Sequence, residues 1–459
     1  MGETARTENK MGTAKMLPLI LSMGLPAMLS MLVQALYNIV DSYYVSQYSE
    51  KALSAVSLAL PLQNLMIAFA VGTAVGVTSL ISRRLGQGRK READLAAAHG
   101  IVLGVLTSLV FAVYGGFFTT PFFHLFETDA EIIAMGDTYL SIVCIFSVGM
   151  FVSVSLEKTL QATGNMIWPM IFQLIGAVSN IVLDPIFIFG YLGFPAMGVA
   201  GAAVATVAGQ WISMIVCIVV VTKGKHEIHI GFKGFRLDGK TVKDIYQVGL
   251  PAIVMQGIGT VMNIGMNAIL SRFSTAAYTV FGLYFRLQNF VFMPVFGLTQ
   301  GLLPIMGFNY GARNKKRLLS ALKNGCMIAL IIMGLGMLTF LLFPGQLIGI
   351  FNPTSEMMEL GVAALRIICI CFPFAALGIV SSTLFQAMGR GTYSLIISLM
   401  RQLLILVPTA WLLAKLTGLV SSVWWAFPCA ELVSLVCSIT FFIHLYRAEI
   451  SHLETVQSR

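Results

Sequence analysis

The chain has 459 residues, of which 57% are hydrophobic and only 11% charged, with a mean hydropathy of +0.85. Soluble domains carry about 25% charged residues, so this chain lacks the polar side chains to coat a water-soluble globule of its size, and a soluble enzyme is all but excluded. The net charge of +9 is explained by where Lys and Arg fall between the apolar runs, without any nucleic-acid partner.

The first 16 residues are mixed in charge and lack the basic start, short apolar core and small-residue cleavage site of a secretory signal, so no cleavage is expected. Beyond them the chain reads as a polytopic all-α membrane protein. Apolar runs of about 20 residues cross a ~30 Å hydrocarbon layer as helices. Twelve such runs stand between charged punctuation, at 17–47, 52–80, 95–118, 132–156, 165–191, 196–222, 244–270, 275–303, 318–344, 360–385, 393–414 and 420–446. Span 1 is longer than a minimal crossing and contains Pro26, which predicts a tilted or bent helix. All seven cysteines fall in apolar runs and read as small hydrophobes rather than as a disulfide framework.

Cytoplasmic loops retain an excess of Lys and Arg. With a cytoplasmic N-terminus, the inner loops hold Arg83, Arg84, Arg89, Lys90 and Arg91 after span 2, then Lys223, Lys225, Lys233, Arg236, Lys240 and Lys243 after span 6, and Arg313, Lys315, Lys316 and Arg317 after span 8. The outer loops offer Lys51, Arg272 and Lys415. The expectation is a multi-pass protein of the cell membrane with both termini cytoplasmic.

The sequence also repeats itself. Gly24-Leu25-Pro26-Ala27 returns as Gly249-Leu250-Pro251-Ala252, a shift of 225 residues. At the same shift Leu62-Gln63-Asn64 meets Leu287-Gln288-Asn289, Gly86 meets Gly311, Phe126 meets Phe351, Glu131 meets Glu356, and Gln161-Ala162-x-Gly164 meets Gln386-Ala387-x-Gly389. An even number of spans in each half means that both halves enter the membrane from the same side, as two parallel six-helix lobes related by a pseudo-two-fold axis along the membrane normal. The expected division is an N-lobe at 1–222, a basic linker at 223–243 and a C-lobe at 244–459. Duplicated bundles of this kind are a transporter architecture.

Ionisable residues inside a span cost roughly 2.5–3.5 kcal/mol on insertion scales and are functional candidates by default. One face of span 1 reads Ser30, Gln34, Tyr37, Asn38, Asp41 and Tyr44, at helical intervals. Span 5 carries Gln173, Asn180 and Asp184, with Asn180 and Asp184 one turn apart and Pro185 freeing a backbone carbonyl. Asp41 and Asp184 come late in outward-running spans, so they belong at similar depth. There they could bind a proton, or Na⁺ together with the Asn180 amide. The alternative is that both acids merely end their helices at the outer surface. At the 225 shift Asp41 corresponds to Met266, Asn180 to Ile405 and Asp184 to Thr409, so ion coupling is assigned to the N-lobe alone.

In the second half, Arg286, Arg401 and Glu431 read as buried charges, and Arg401 with Glu431 as an ion pair on adjacent helices. Gln34, Tyr37 and Asn38, with Met255, Met262, Asn263 and Met266 on the matching face of span 7, are the candidate lining of a substrate cavity. Thioethers and aromatic rings suit varied, flat organic cations. His226 and His229 lie in the linker without further ligands, so no metal site is expected.

Twelve spans in two parallel halves, Gly-Leu-Pro-Ala opening each, Leu-Gln-Asn in spans 2 and 8, the Gly86-Gln87-Gly88 basic loop, and Gln-Ala-x-Gly after spans 4 and 10 together resemble the multidrug and toxic compound extrusion (MATE) family. The chain is similar to the DinF-like branch, whose span 1 aspartate and span 5 Asn…Asp-Pro form an N-lobe cation site. Here that resemblance falls on Asp41, Asn180 and Asp184. It departs from the NorM-like branch in having no mid-membrane acid in spans 7 and 10, only Glu356 and Glu359 at the outer mouth. The resemblance implies V-shaped lobes, bending near Pro26, and antiport of cationic drugs against H⁺ or Na⁺.

The leading expectation is therefore a secondary antiporter exporting amphipathic organic cations. It would act in the bilayer as a monomer, driven by an H⁺ or Na⁺ gradient rather than a bound cofactor. A lipid-linked precursor flippase is the alternative. Anionic pyrophosphate headgroups would call for several cavity cations, and Arg286, Arg366 and Arg401, all in one lobe, are what the spans offer. An intramembrane enzyme is not expected, because no mid-span histidine accompanies a nucleophile, and ATP-driven transport lacks a phosphate-binding loop.

Overall fold

The structure is a computed structural model that describes residues 9–224, 226–232 and 235–453. Lys225 and Lys233 of the basic linker lie outside the described residues. Among the described residues the regular structure is helical, the form in which a chain satisfies every backbone group without water. Eleven helices are long and apolar enough to span, and a twelfth span is a bent pair. They are α1 Met16–Tyr48, α2 Glu50–Gly86, α3 Lys90–Phe117, α4 Ala130–Ile145 with Val148–Ala162, α5 Ile167–Phe189 and α6 Val199–Lys223. The second half holds α7 Gly239–Leu270, α8 Thr275–Gly311, α9 Lys315–Leu342, α10 Ser355–Ala387, α11 Gly391–Thr417 and α12 Val420–His452. The twelve-span all-α fold expected from the apolar runs is the fold observed.

The repeat extends to how helices start and stop. Ser49 caps α2, its Oγ accepting from the Lys51 and Ala52 amides, and Ser274, 225 residues on, caps α8 by accepting from Ala277. Gly164 and Gly389 end α4 and α10 in the left-handed conformation at φ of 91° and 83°. In each case the following amide bonds back to a helix carbonyl, Asn165 to Leu160 and Arg390 to Phe385. Outward faces are apolar, as in the stripe Leu106, Leu109, Val110, Val113 and Phe117 of α3, all exposed.

Three spans are irregular. The two parts of α4 meet at a 46° bend, and α10 passes through a 3-10 turn at Cys369–Cys371 just before Pro373. In α11 a π turn occupies Met400–Ile405, ahead of Pro408, whose missing N–H cannot close the regular ladder. α1 runs unbroken through Pro26.

The chain forms two compact units, one Leu29–Leu250 and the other the segment up to Met28 together with Pro251–Arg459. The divisions fall inside α1 and α7, beside the repeated Gly-Leu-Pro-Ala. In the first unit the leading part of α7 lies against α2, where a Cβ built on Gly76 would collide with the Ile245 carbonyl oxygen and one on Gly249 would meet the Gly72 oxygen at 3.2 Å. In the second unit the leading part of α1 lies against α8 in the same way. A Cβ on Gly301 would come within 3.0 Å of the Gly24 nitrogen, and one on Gly297 within 2.7 Å of Met28. Gly72, Gly76 and Gly24 are the 225-shift partners of Gly297, Gly301 and Gly249. Helices approach this closely in membranes only where side chains are absent.

Candidate functional site

The first unit gathers a polar cluster from α1, α4, α5 and α6. On α5, Asp184 is fully buried and Asn180, one turn earlier, is 2% exposed. The spacing of four puts both on one helix face. With its amide oriented by the network, Asn180 donates to Asp184 Oδ2 at 3.2 Å and accepts from the Thr206 backbone N–H of α6 at 3.1 Å. From α1, Asp41 brings its carboxyl within hydrogen-bonding reach of Asp184. Two carboxyl groups can share a hydrogen bond only if one of them carries a proton. Asp41 Oδ1 is buried and receives no hydrogen bond from a protein N–H or hydroxyl donor.

Tyr37, one turn before Asp41, and Tyr139 of α4 both face this pair of acids. Tyr139 is 2% exposed, and its hydroxyl accepts from Gln63 Nε2 of α2 at 3.0 Å. The cluster therefore offers two carboxyls, an amide and hydroxyls, and none of the residues just named is basic. That set suits one proton or one small monovalent cation of oxygen preference.

Tyr139, Gln63 and Thr206 escaped the sequence reading because single polar residues in apolar runs look like ordinary packing. A second group was missed for a different reason. α4 continues past residue 156, where the apolar run appears to stop, and buries Glu157 and Lys158. Gln173 of α5 donates to Glu157 Oε2 at 3.0 Å, and Lys158 Nζ donates to Gln161 at 2.9 Å. The signal available was the helix-compatible run up to the Thr163-Gly164 stop.

Of the proposed cavity residues, Gln34 and Asn38 are exposed and Tyr37 half-buried in the first unit. In the second unit Met262 and Met266 are buried, while Met255 and Asn263 are half-buried. The Asn263 side chain donates to the Gly259 carbonyl at 3.0 Å, a bond within its own helix. Arg401 Nη1 lies 3.6 Å from Glu431 Oε1. Arg286, expected as a buried charge, is exposed. It lies about 200° around α8 from the fully buried Tyr284, so apolar flanks did not mean an inward-facing position.

Comparison with known proteins gives this geometry a family. The MatE family model matches residues 26–186 and 251–412, one match in each half and together more than half of the chain. The chain is 23% identical over 434 residues to Multidrug export protein MepA of Staphylococcus aureus (strain MSSA476), covering 94% of this chain and 95% of that protein. It is similar in fold to a multidrug resistance MATE family transporter of the MOP superfamily solved in an outward-facing conformation, with a TM-score of 0.89 at 25% identity over 97% of this chain and 98% of that one. A MOP superfamily transporter from Pyrococcus furiosus, described as having a binding pocket of reverse polarity, gives the same TM-score and identity over 97% of this chain and 99% of that one. Since the match falls on both repeats and the relatives and folds align over nearly their full lengths, the chain belongs to the MatE family and is a multi-pass membrane transporter of the MATE type.

Proposed function

We propose that the protein is a secondary antiporter that exports amphipathic organic cations in exchange for H⁺ or Na⁺, with Asp41, Asp184 and Asn180 binding the coupling ion. The observation that carries this reading is the carboxyl pair of Asp41 and Asp184, with no protein donor on the buried Asp41 Oδ1. A largely buried carboxyl pair that is short of positive charge gains from taking up a cation, and a protein can exchange that gain for a conformational shift. The shift is limited by the difference in ion affinity between the two states.

The cargo class is supported by the multidrug export function in the name of the relative MepA and by the exposed polar face of α1 ending at Asp41. On this reading the protein works as a monomer in the cell membrane, with the basic loops and both termini cytoplasmic.

The deciding experiment reconstitutes the protein in liposomes and follows a fluorescent organic cation under an imposed pH gradient, then under a Na⁺ gradient. Transport driven by either gradient in the wild type, and lost in both Asp41→Asn and Asp184→Asn, is expected. Normal transport by either variant sinks the coupling assignment, and no transport under either gradient favours the flippase alternative.

A further inference from the structure

Beyond Pro251 the sequence has no aspartate and five glutamates. Glu356 and Glu359 stand in the opening turns of α10, and Glu449 is bound by Arg390 Nε at 2.9 Å and by the Tyr310 hydroxyl at 2.7 Å. Among the described residues that leaves Glu431 as the acid deep inside a span of the second half. It belongs to α12 and is met by α11, so it occupies the same two spans, fifth and sixth of its half, that supply Asn180, Asp184 and Thr206 in the first.

The surroundings differ in one respect. Arg401, on the π turn of α11, points its Nη1 at Glu431 Oε1 across 3.6 Å, with the two side chains 20% and 12% exposed. Glu431 Oε2 is buried and makes no hydrogen bond. The other titratable groups that feel this carboxylate are the Tyr284 hydroxyl of α8 and the Cys371 thiol of α10, with Cys369 beside them. Arg401 is thus the cation facing Glu431, and it is held there by its own backbone. A guanidinium does not deprotonate in proteins and cannot leave. A buried carboxylate without such a partner takes up a proton or another cation instead.

We propose that Glu431 is a latent monovalent-cation site, kept closed to exchangeable ions by the tethered Arg401 guanidinium, and that this closure confines ion exchange to the first half. The proposal deepens the coupling reading above and rests on it. Arg401 is here a stoichiometry-determining residue, because removing it opens a second exchange site.

The test starts from the full-length Asp41→Asn/Asp184→Asn variant, in which the first-half site is disabled. Binding of radioactive Na⁺ and carboxyl infrared difference spectra between mildly alkaline and mildly acidic pH are recorded, with Glu431→Gln used to assign any Glu431 band. The parent is expected to bind no Na⁺ and to show no Glu431 protonation. Adding Arg401→Gln is expected to create one exchangeable cation per protein, Na⁺ or H⁺, which Glu431→Gln erases and Arg401→Lys does not produce. No gain on adding Arg401→Gln, or a Glu431 band with Arg401 in place, overturns the proposal. Should Arg401→Gln fail to fold, the parent and Arg401→Lys spectra still decide it. Wild-type protein that binds no ion refutes the coupling reading separately, since the Glu431 measurements are made without the first-half acids.

Discussion

At the scale of single residues, function concentrates where a polar atom is buried without a full set of partners. Tyr139 is the residue through which α2 and α4 meet the acid pair, and a neutral hydrogen bond contributes about 0.5–1.5 kcal/mol. Tyr139→Phe removes both the Gln63 contact and a hydroxyl facing the acids, so a two- to tenfold loss of apparent ion affinity is expected. Titrating gradient-driven transport against ion concentration reads it. Arg313 illustrates strain in place of chemistry. Its φ of 58° sits where the shift-related turn has Gly88 at 74°, and a non-glycine residue there costs roughly 1–2 kcal/mol. Arg313→Gly should therefore raise thermal stability slightly, the entropy lost by glycine offsetting part of the gain. An unchanged or lowered melting temperature contradicts the strain argument.

At the scale of helices, the glycine approaches of α2 with α7 and of α8 with α1 decide packing. A methyl at Gly76 would overlap the Ile245 carbonyl oxygen, which is backbone and cannot rotate away. Overpacking of this kind costs typically 1–3 kcal/mol, so Gly76→Ala should lower the melting temperature measurably. Gly334→Ala in α9, where nothing lies within 4 Å, should leave it unchanged or raise it through helix propensity. Equal effects at the two sites rule out close approach as the cause. The start of α4 gives a pH-dependent case. Asp129 caps it by accepting from the Glu131 amide at 2.9 Å and pairs with Lys51 at 3.0 Å. Lys51, and then that amide, hold the Asp129 carboxyl below its ordinary value of 3.8. A lowered folded-state value means stability that is present above the unfolded value and lost as pH falls through the folded one. Asp129→Asn should therefore lower stability slightly near neutrality and flatten the acid limb of the profile below about pH 4, where wild type and variant converge.

At the scale of the molecule, the linker between the halves is docked and not a loose tether. The His229 backbone N–H donates to Asp94 Oδ1 at 2.9 Å, and the Asp238 backbone N–H donates to His99 Nε2 at 2.9 Å. The His99 ring lies 4.8 Å from that of Phe235. Because His99 Nδ1 sits 2.8 Å from the Leu95 carbonyl oxygen, Nδ1 must donate while Nε2 accepts, which assigns the neutral Nδ1–H tautomer. His99→Phe keeps a ring for Phe235 but removes the bond to the Asp238 amide, at a cost of about 0.5–1.5 kcal/mol. Limited trypsin cleavage at Arg236 and Lys240 should then accelerate severalfold, and an unchanged rate would show that the His99 bond does not hold the segment.

Length of apolar runs, proline and glycine punctuation and the 225-residue register determine the number of spans, their order and the duplicated architecture. These are local or additive properties that a lipid environment makes obligatory. The polar face of span 1 and the one-turn spacing of Asn180 and Asp184 are likewise local, so the candidate site could be named from sequence. Which residues complete it could not. Gln63, Tyr139 and Thr206 come from three other helices, and only packing brings them to the acids or their partners. The same holds for Glu157, where helix continuation past an apparent loop decided burial, and for Arg286, where rotation about the helix axis decided exposure. The division of the chain into compact units inside α1 and α7 is tertiary for the same reason. It depends on backbone approaches between glycines more than 150 residues apart in sequence, a distance over which hydrophobic periodicity carries no information.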